Sequence, residues 1–270
     1  MANIIIQVSK YLIIILMAAY TFSCFSIFTR SYEDEENKVL IRQDVLLFMI
    51  QITAFIAMYF ATQDLRMMFI YGALAVIVMA VILLYNLIYP NVSRLVVNNM
   101  CMLLSIGFLI LSRLSFGKAV KQFEIVVIGM VLSFIVPVIV RKVKILKDLT
   151  WLYGIVGLAL LMVVLAMAAI SGGAKLSIEI GGVTFQFSEL VKITFVFFVA
   201  GMLREDTGFK RVVITTVVAA THVLILVVSK DLGSALIFFV GFVFVVFAAT
   251  RNYLYLFAGI VGGGAASYLA

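Results

Sequence analysis

The stretch "GGVTFQFSELVKITFVFF", residues 181–198, joins a long apolar run to two charged residues at its start. The run that follows Ser188 is long enough to enter a membrane as a helix, because each helical residue adds about 1.5 Å. Glu189 and Lys192 are three residues apart, so a helix places both on one face, where the acid and the base can pair. The stretch therefore predicts a membrane helix that begins with two opposite charges.

The rest of the chain extends this prediction to the whole fold. Of its 270 residues, 65% are hydrophobic and 12% are charged, whereas soluble domains average about 25% charged residues. The apolar blocks lack the alternation of outer-membrane β-strands. The composition predicts an all-α, polytopic helical membrane protein.

Nine blocks are long enough to be complete transmembrane helices, and a tenth begins at Tyr253. The tenth reaches the last residue without a polar flank, so we expect it to be truncated and the chain to continue in a longer protein. The nine complete candidates are residues 10–28, 45–62, 67–89, 97–114, 123–140, 151–170, 188–204, 212–229 and 233–249.

The basic residues predict the orientation and the partners. Loops after odd-numbered spans contain 12 Lys and Arg residues, and the N-terminus with the other loops contains 7. The excess predicts that odd loops are cytoplasmic and that the N-terminus is extracellular. The net charge of +7 is explained by such loops and by anionic membrane lipids, so we expect no nucleic-acid partner. Cys24 and Cys101 lie in separate apolar blocks, which predicts two free thiols.

Two segments call for separate interpretations. Residues 171–187 are too polar to cross a membrane, and we expect them to lie at the exterior interface as a short helix or a re-entrant piece. Gly259 and Gly263 have the GxxxG spacing that is typical of close helix packing.

Charged residues at membrane depth are candidates for a functional site. Helix capping alone, with Ser188 as N-cap and Glu189 in the first turn, accounts for the acid. It leaves Lys192 unexplained, because the helix dipole disfavours a cation there, and a polar cavity is the favoured interpretation. Asp231 is either the N-cap of the ninth span or a second acid of the same cavity, and the local sequence does not decide between them.

Two further residues leave alternatives open. His222 is the single histidine and lies within the eighth span, where a hydrogen-bonded core histidine is favoured over a proton relay. Arg113 begins an exterior basic cluster, which is either tolerated charge or a site for an anionic headgroup. No metal, nucleotide or serine-hydrolase motif occurs. The sequence thus indicates no cofactor, with a divalent cation left open.

Three segments carry a resemblance to a known family. They are "LLSIGFLILSRLSFGKAVKQF" (103–123), "GAKLSIEIGGVTFQFSELVK" (173–192) and "SKDLGSALI" (229–237). In order and spacing they resemble the shape, elongation, division and sporulation family of RodA, FtsW and SpoVE. The resemblance covers about residues 97–270, which we expect to be a partial core, and leaves residues 1–96 as an extension of about three helices.

The resemblance implies a peptidoglycan glycosyltransferase of the bacterial cytoplasmic membrane. Such proteins polymerise lipid II, the undecaprenyl-pyrophosphate-linked precursor, and usually work with a class B penicillin-binding protein. A lysine at an outward cavity suits a pyrophosphate. The residues that the resemblance assigns to the cavity or to substrate binding are Glu189, Lys192, Asp231, Lys175, Gln186, Ser188 and Arg113.

The chain also departs from the family pattern. The differing positions are Leu176, Ser177, Phe187, Ser229 and Lys230. The family's His-Thr-Asp-Phe segment, which carries the proposed catalytic carboxylate, does not occur, so we expect the catalytic residue beyond Ala270 and no polymerisation by these residues alone. A flippase of lipid-linked precursors and a non-catalytic membrane scaffold are the alternative functions.

Overall fold

The computed structural model describes residues 2–171, 177–180, 183–204 and 206–269. They divide into two compact units, Met1–Val138 and Ile139–Ala270. The predicted all-α, polytopic membrane architecture is confirmed. The number of spans differs from the prediction: seven helices among the described residues are long and apolar enough to cross a membrane. The difference arises at the sixth and seventh predicted spans, where the searched part of one helix is Thr150–Ala166 and the other helix has 17 residues.

The first unit is an array of long helices joined by short turns. It contains α1 (Ala2–Ser26), α2 (Glu33–Thr62), α3 (Arg66–Ile88), α4 (Arg94–Leu114) and most of α5 (Phe116–Lys142). The first turn of α2 consists of four acids, residues 33–36, which the positive end of the helix dipole favours. The core of the first unit is formed by buried side chains from several helices, among them Leu47, Phe55, Leu74, Val78, Cys101 and Phe108.

Polar side chains also join the helices of this unit. Gln51 Nε2 of α2 donates to Ser105 Oγ of α4 over 2.6 Å, and both side chains are buried. Inside α5, Pro137 removes one backbone donor. One turn before this proline, Ser133 Oγ accepts a hydrogen bond of 2.8 Å from the hydroxyl of Tyr85 on α3. These hydrogen bonds connect helices through residues that are far apart in sequence. They align one helix with another, which apolar packing alone does not do.

The described residues of the second unit form five complete α-helices and a short β-hairpin, after the end of α5 and a short 3-10 helix. They are α6 (Thr150–Ser171), β1 (Ser177–Ile180), β2 (Val183–Gln186), α7 (Phe187–Leu203), α8 (Phe209–Val228), α9 (Leu232–Thr250) and α10 (Tyr253–Leu269). The two strands are antiparallel, with Ser177 opposite Gln186 and Ile180 opposite Val183. The core of the second unit is formed by buried side chains that include Leu161, Val191, Phe198, Leu226 and Phe238.

The hairpin corrects two local predictions. The described part of residues 171–187 forms strands after α6 ends, where we expected a short helix or a re-entrant piece; alternating apolar residues favour a strand. Because β2 ends at Gln186 and α7 begins at Phe187, the residue in the N-cap position is Gln186. Ser188 is therefore inside the first turn, and its predicted role as N-cap was wrong.

The predicted close packing at the GxxxG spacing is confirmed. A Cβ atom on Gly259 would lie 2.7 Å from Val243 Cγ2, and one on Gly263 would lie 2.5 Å from Phe239 Cε1. Both neighbours belong to α9, so the two glycines let α10 approach it. Elsewhere large apolar side chains are exposed, such as Phe69 and Leu87 at 77% each, as expected where lipid is the solvent.

Candidate functional site at the start of α7 and α9

The α7 end of the candidate site consists of an ion pair on one helix face. The Lys192 ammonium lies 2.7 Å from Glu189 Oε1 and 2.7 Å from Oε2. The lysine side chain is 28% exposed and the glutamate side chain is 58% exposed. Both oxygens of the acid thus contact one cation, and solvent-exposed pairs of this kind contribute at most about 1 kcal/mol. A competing anion can displace Glu189 at little cost.

Asp231 caps α9 and contacts the chain that leads into α7. Its Oδ1 accepts from the backbone N–H of Ser234 at 3.1 Å, which confirms the N-cap interpretation. Its Oδ2 accepts from Gln186 Nε2 at 3.2 Å. The carboxylate therefore ties the start of α9 to the junction of β2 and α7, in addition to capping its own helix.

A second contact joins the same two helix ends. The hydroxyls of Ser234 and Ser188 lie 3.3 Å apart, and both side chains are buried. On α7, Ser188 and Lys192 are one turn apart and so lie on the same side of the helix. Gln186, Ser188, Lys192, Asp231 and Ser234 consequently form a polar strip across the starts of α7 and α9.

The strip has two parts. Among the described residues, no hydrogen bond or ion pair joins Asp231 to Glu189 or Lys192. One part consists of Asp231 and the residues hydrogen-bonded around it, and the other consists of Lys192 with its partner Glu189. The first turn of α7 connects the two parts. That Glu189, Lys192 and Asp231 line one cavity stays a prediction. Arg113 lies exposed in the last turn of α4, in the first unit, and Lys175 lies outside the described residues.

The backbone around Asp231 is set by a left-handed residue. Lys230 has φ 61°, its N–H donates to Val227 O at 2.9 Å, and the N–H of Asp231 donates to Leu226 O at 2.9 Å. This is the arrangement that ends a helix with a residue in the left-handed region. The turn closes α8 and, one residue later, presents Asp231 as the cap of α9.

His222 is a buried residue at the contact of three helices. Its Nδ1 donates to Val218 O at 2.8 Å, and Nε2 has no hydrogen-bond partner among the described residues. A Cβ atom built on Gly157 of α6 would contact both Nε2 and the hydroxyl of Thr194 on α7. The favoured interpretation as a hydrogen-bonded core histidine agrees with this geometry, and in the described part of the chain no hydrogen bond connects the ring to the polar strip.

The sequence reasoning missed several polar residues. Ser234 was not singled out, although it lies three residues after Asp231, where an N-cap needs a donor. In the first unit it missed Asp44 and Arg94, whose charged atoms lie 3.3 Å apart. The available signal was a charged residue at the edge of each apolar block. Within the described residues, no three His, Cys, Asp or Glu side chains are grouped so that they could hold a metal ion.

Comparison with known proteins identifies the family. A family model described as "Cell cycle protein", which groups FtsW, RodA and SpoVE, matches residues 92–269. No curated protein and no solved structure matches the chain significantly. The matched range contains the whole polar strip at the starts of α7 and α9. The chain is therefore a multi-pass membrane protein that belongs to the FtsW, RodA and SpoVE family of cell cycle proteins.

Proposed function

We propose that the chain binds lipid II at the polar strip and takes part in polymerising it into peptidoglycan at the bacterial cytoplasmic membrane. The observation that supports this is Lys192, a cation at the start of the apolar helix α7 whose only described ionic partner is a mostly exposed acid. The substrate class is the one that the resemblance to the family implies. In this proposal the strip faces outward, and the N-terminus is extracellular.

Lys192 would hold the pyrophosphate. An ammonium is a compact point charge with three donors, which suits phosphate oxygens. The pyrophosphate then replaces Glu189 as the partner of Lys192, and the freed carboxylate can accept hydrogen bonds from sugar hydroxyls. Glu189 is thus a competitor of the substrate before binding and a polar contact after it.

Asp231 and Gln186 have a positioning role in this proposal. Both oxygens of Asp231 already accept hydrogen bonds from the protein, so its effect on the substrate passes through the geometry of α7. Ser188 acts in the same way through Ser234. Lys175 and Arg113 remain further candidate contacts to the anionic substrate, and a class B penicillin-binding protein remains the proposed partner.

Binding of fluorescent lipid II to the chain in nanodiscs, with and without Mg²⁺, tests the proposal. Lys192→Gln removes the cation, and we expect about tenfold weaker binding, the value of one charge-assisted hydrogen bond. Glu189→Gln removes the competitor and should leave binding unchanged or tighter. Lys210→Gln, an exposed residue at the start of α8, is the matched control and should bind as the unaltered chain does. Equal binding by Lys192→Gln and the control would contradict the proposal.

A product assay separates polymerisation from transport. We expect the full-length gene product, reconstituted with a class B penicillin-binding protein, to release glycan polymer from lipid II. Translocation of lipid II across liposomes without polymer would instead favour the flippase. Full complementation, by a Glu189→Ala or an Asp231→Ala variant, of cells that lack the protein would favour the scaffold.

A further inference from the structure

A lipid-facing groove in the first unit lies outside the polar strip and mostly before the matched residues. It has a volume of about 520 Å³ and runs between α2 and α3, with Arg94 of α4 at one end. Its walls are apolar along most of its length, and ligand pockets typically have volumes of about 300–1,000 Å³. The apolar lining consists of Ile41, Val45, Phe48, Met49, Ile52, Tyr71, Met79, Ile82 and Leu83.

The groove follows one face of α2. Its lining residues on that helix recur every three or four positions from residue 41 to residue 52, which places them in a single stripe. Eleven residue steps correspond to roughly 16 Å of helix. The hydrocarbon core of a bilayer is about 30 Å thick, so the groove extends through about one leaflet.

One end of the groove is charged. Arg94 Nη2 lies 3.3 Å from Asp44 Oδ2, with the two side chains 26% and 19% exposed, and Asn86 lines the same end. Asp44 Oδ1 and Arg94 Nε are buried and have no hydrogen-bond partner among the described residues. Buried polar atoms are nearly always paired. This end therefore leaves one acceptor and one donor unmatched.

The charged end lies where the helices meet the membrane boundary. Arg94 is the first residue of α4, and Asn86 lies in the last turn of α3. Asp44 is the last charged residue of α2, and the remainder of that helix carries no charge. The groove thus runs from a charged boundary into the apolar interior, which is the arrangement of a phospholipid with its headgroup at one end.

We propose that this groove binds a phospholipid whose headgroup carries both a phosphate and a primary ammonium, as phosphatidylethanolamine does. The phosphate accepts from Arg94, favoured by the positive N-terminal end of α4. The ammonium donates to Asp44. One acyl chain lies along the apolar stripe between α2 and α3.

The charge balance selects this headgroup over other phospholipids. Asp44 and Arg94 together have no net charge, so an anionic lipid such as phosphatidylglycerol would bring its phosphate beside Asp44 without a compensating cation. Phosphatidylcholine has a quaternary ammonium, which carries no N–H to donate. A zwitterion with a primary ammonium is the common headgroup that offers each side chain of the pair a group of opposite charge.

Native mass spectrometry of the chain in detergent, with the three lipids added in turn, tests the proposal. We expect phosphatidylethanolamine to be retained about tenfold more tightly than either phosphatidylglycerol or phosphatidylcholine, as the loss of one charge-assisted hydrogen bond implies. Equal retention of the three lipids by the unaltered chain would overturn the proposal, without any variant being needed.

Variants locate the site. Asp44→Asn should abolish the preference for phosphatidylethanolamine over phosphatidylglycerol, and Arg94→Gln should weaken both. Arg66→Gln is the matched control, because Arg66 forms an exposed ion pair with Asp64 at 2.8 Å in the same unit, outside the groove lining. An equal loss of retention in Arg66→Gln and Arg94→Gln would place the lipid elsewhere and overturn the proposal. If the charge variants fail to fold, Leu83→Trp, which narrows the groove at an exposed residue, should lower retention of all three lipids, and unchanged retention would overturn the proposal.

Discussion

The ring of His222 occupies space that a side chain at position 157 would otherwise fill. A Cβ atom on Gly157 would lie 2.8 Å from His222 Nε2 and 3.0 Å from Thr194 Oγ1. Gly157 and His222 are both buried, so neither the ring nor the helix can move away freely. The glycine is thus required by a close approach, which the sequence pattern around it did not indicate.

We expect Gly157→Ala to destabilise the protein by about 1–3 kcal/mol, the usual cost of overpacking a core. Thermal unfolding in detergent measures the effect. Gly241→Ala on α9 is the control, because its added Cβ would meet no described atom within 4 Å beyond its own helical turn, and it should be neutral or stabilising by up to about 1 kcal/mol. Equal melting temperatures for the two variants would contradict the assignment of Gly157.

Lys230 provides a second prediction for a single residue. A non-glycine residue in the left-handed region costs about 1 kcal/mol, so Lys230→Gly should stabilise the protein by a similar amount. Lys230→Pro should destabilise it by about 3 kcal/mol, because proline cannot adopt φ 61° and lacks the N–H that donates to Val227 O. The same unfolding assay compares both variants, and a tolerated proline would show that the turn differs.

At the scale of elements, α9 and α10 pack through glycine. We expect Gly263→Ala to separate the two helices and lower the melting temperature, because its Cβ atom would overlap the ring of Phe239. Gly262→Ala, whose added Cβ would meet no described atom within 4 Å beyond its own helical turn, should leave the melting temperature unchanged or slightly higher. A matching decrease in both variants would contradict the role of the contact, because helix propensity favours alanine over glycine at both positions.

The hydrogen bond between α2 and α4 behaves differently from an apolar contact. Ser105→Ala should cost about 1–3 kcal/mol, because it leaves the buried Gln51 amide without its partner. Adding Gln51→Leu removes the amide as well and should restore part of the loss. Denaturation of the single and double variants measures this, and strictly additive losses would contradict the expectation.

The elements also show how far the sequence leads. Helix positions followed from the length of the apolar runs, and the cap at Asp231 followed from its place before Leu232. The hairpin was not predicted, because four-residue strands between glycines resemble an interfacial loop in composition. The contact of Gln186 with Asp231 joins residues 45 positions apart, and no local pattern indicates such a pairing.

For the whole molecule, composition decided the architecture, while the orientation still rests on the distribution of Lys and Arg. Cysteine accessibility tests the orientation, since Cys24 and Cys101 are the native thiols and both can be replaced by alanine. In that background we expect Leu65→Cys to react with an impermeant maleimide added outside, and Asp34→Cys to be protected until the membrane is opened. The reverse pattern would place the N-terminus in the cytoplasm.

The sequence also placed most candidate site residues at one end of one unit without showing how they connect. Glu189 and Lys192 were paired correctly, because residues three apart on a helix are neighbours. Asp44 and Arg94 were missed because their partnership depends on the packing of α2 against α4. Pairings within a helix can be read from spacing, whereas pairings between helices require the fold.

No residue separates β2 from α7, so the strand and the helix share one continuous backbone path. A force that tilts the hairpin should therefore also move the Gln186 amide, which donates the hydrogen bond to Asp231. A molecule that binds the hairpin would in this way weaken the cap of α9 without contacting that helix.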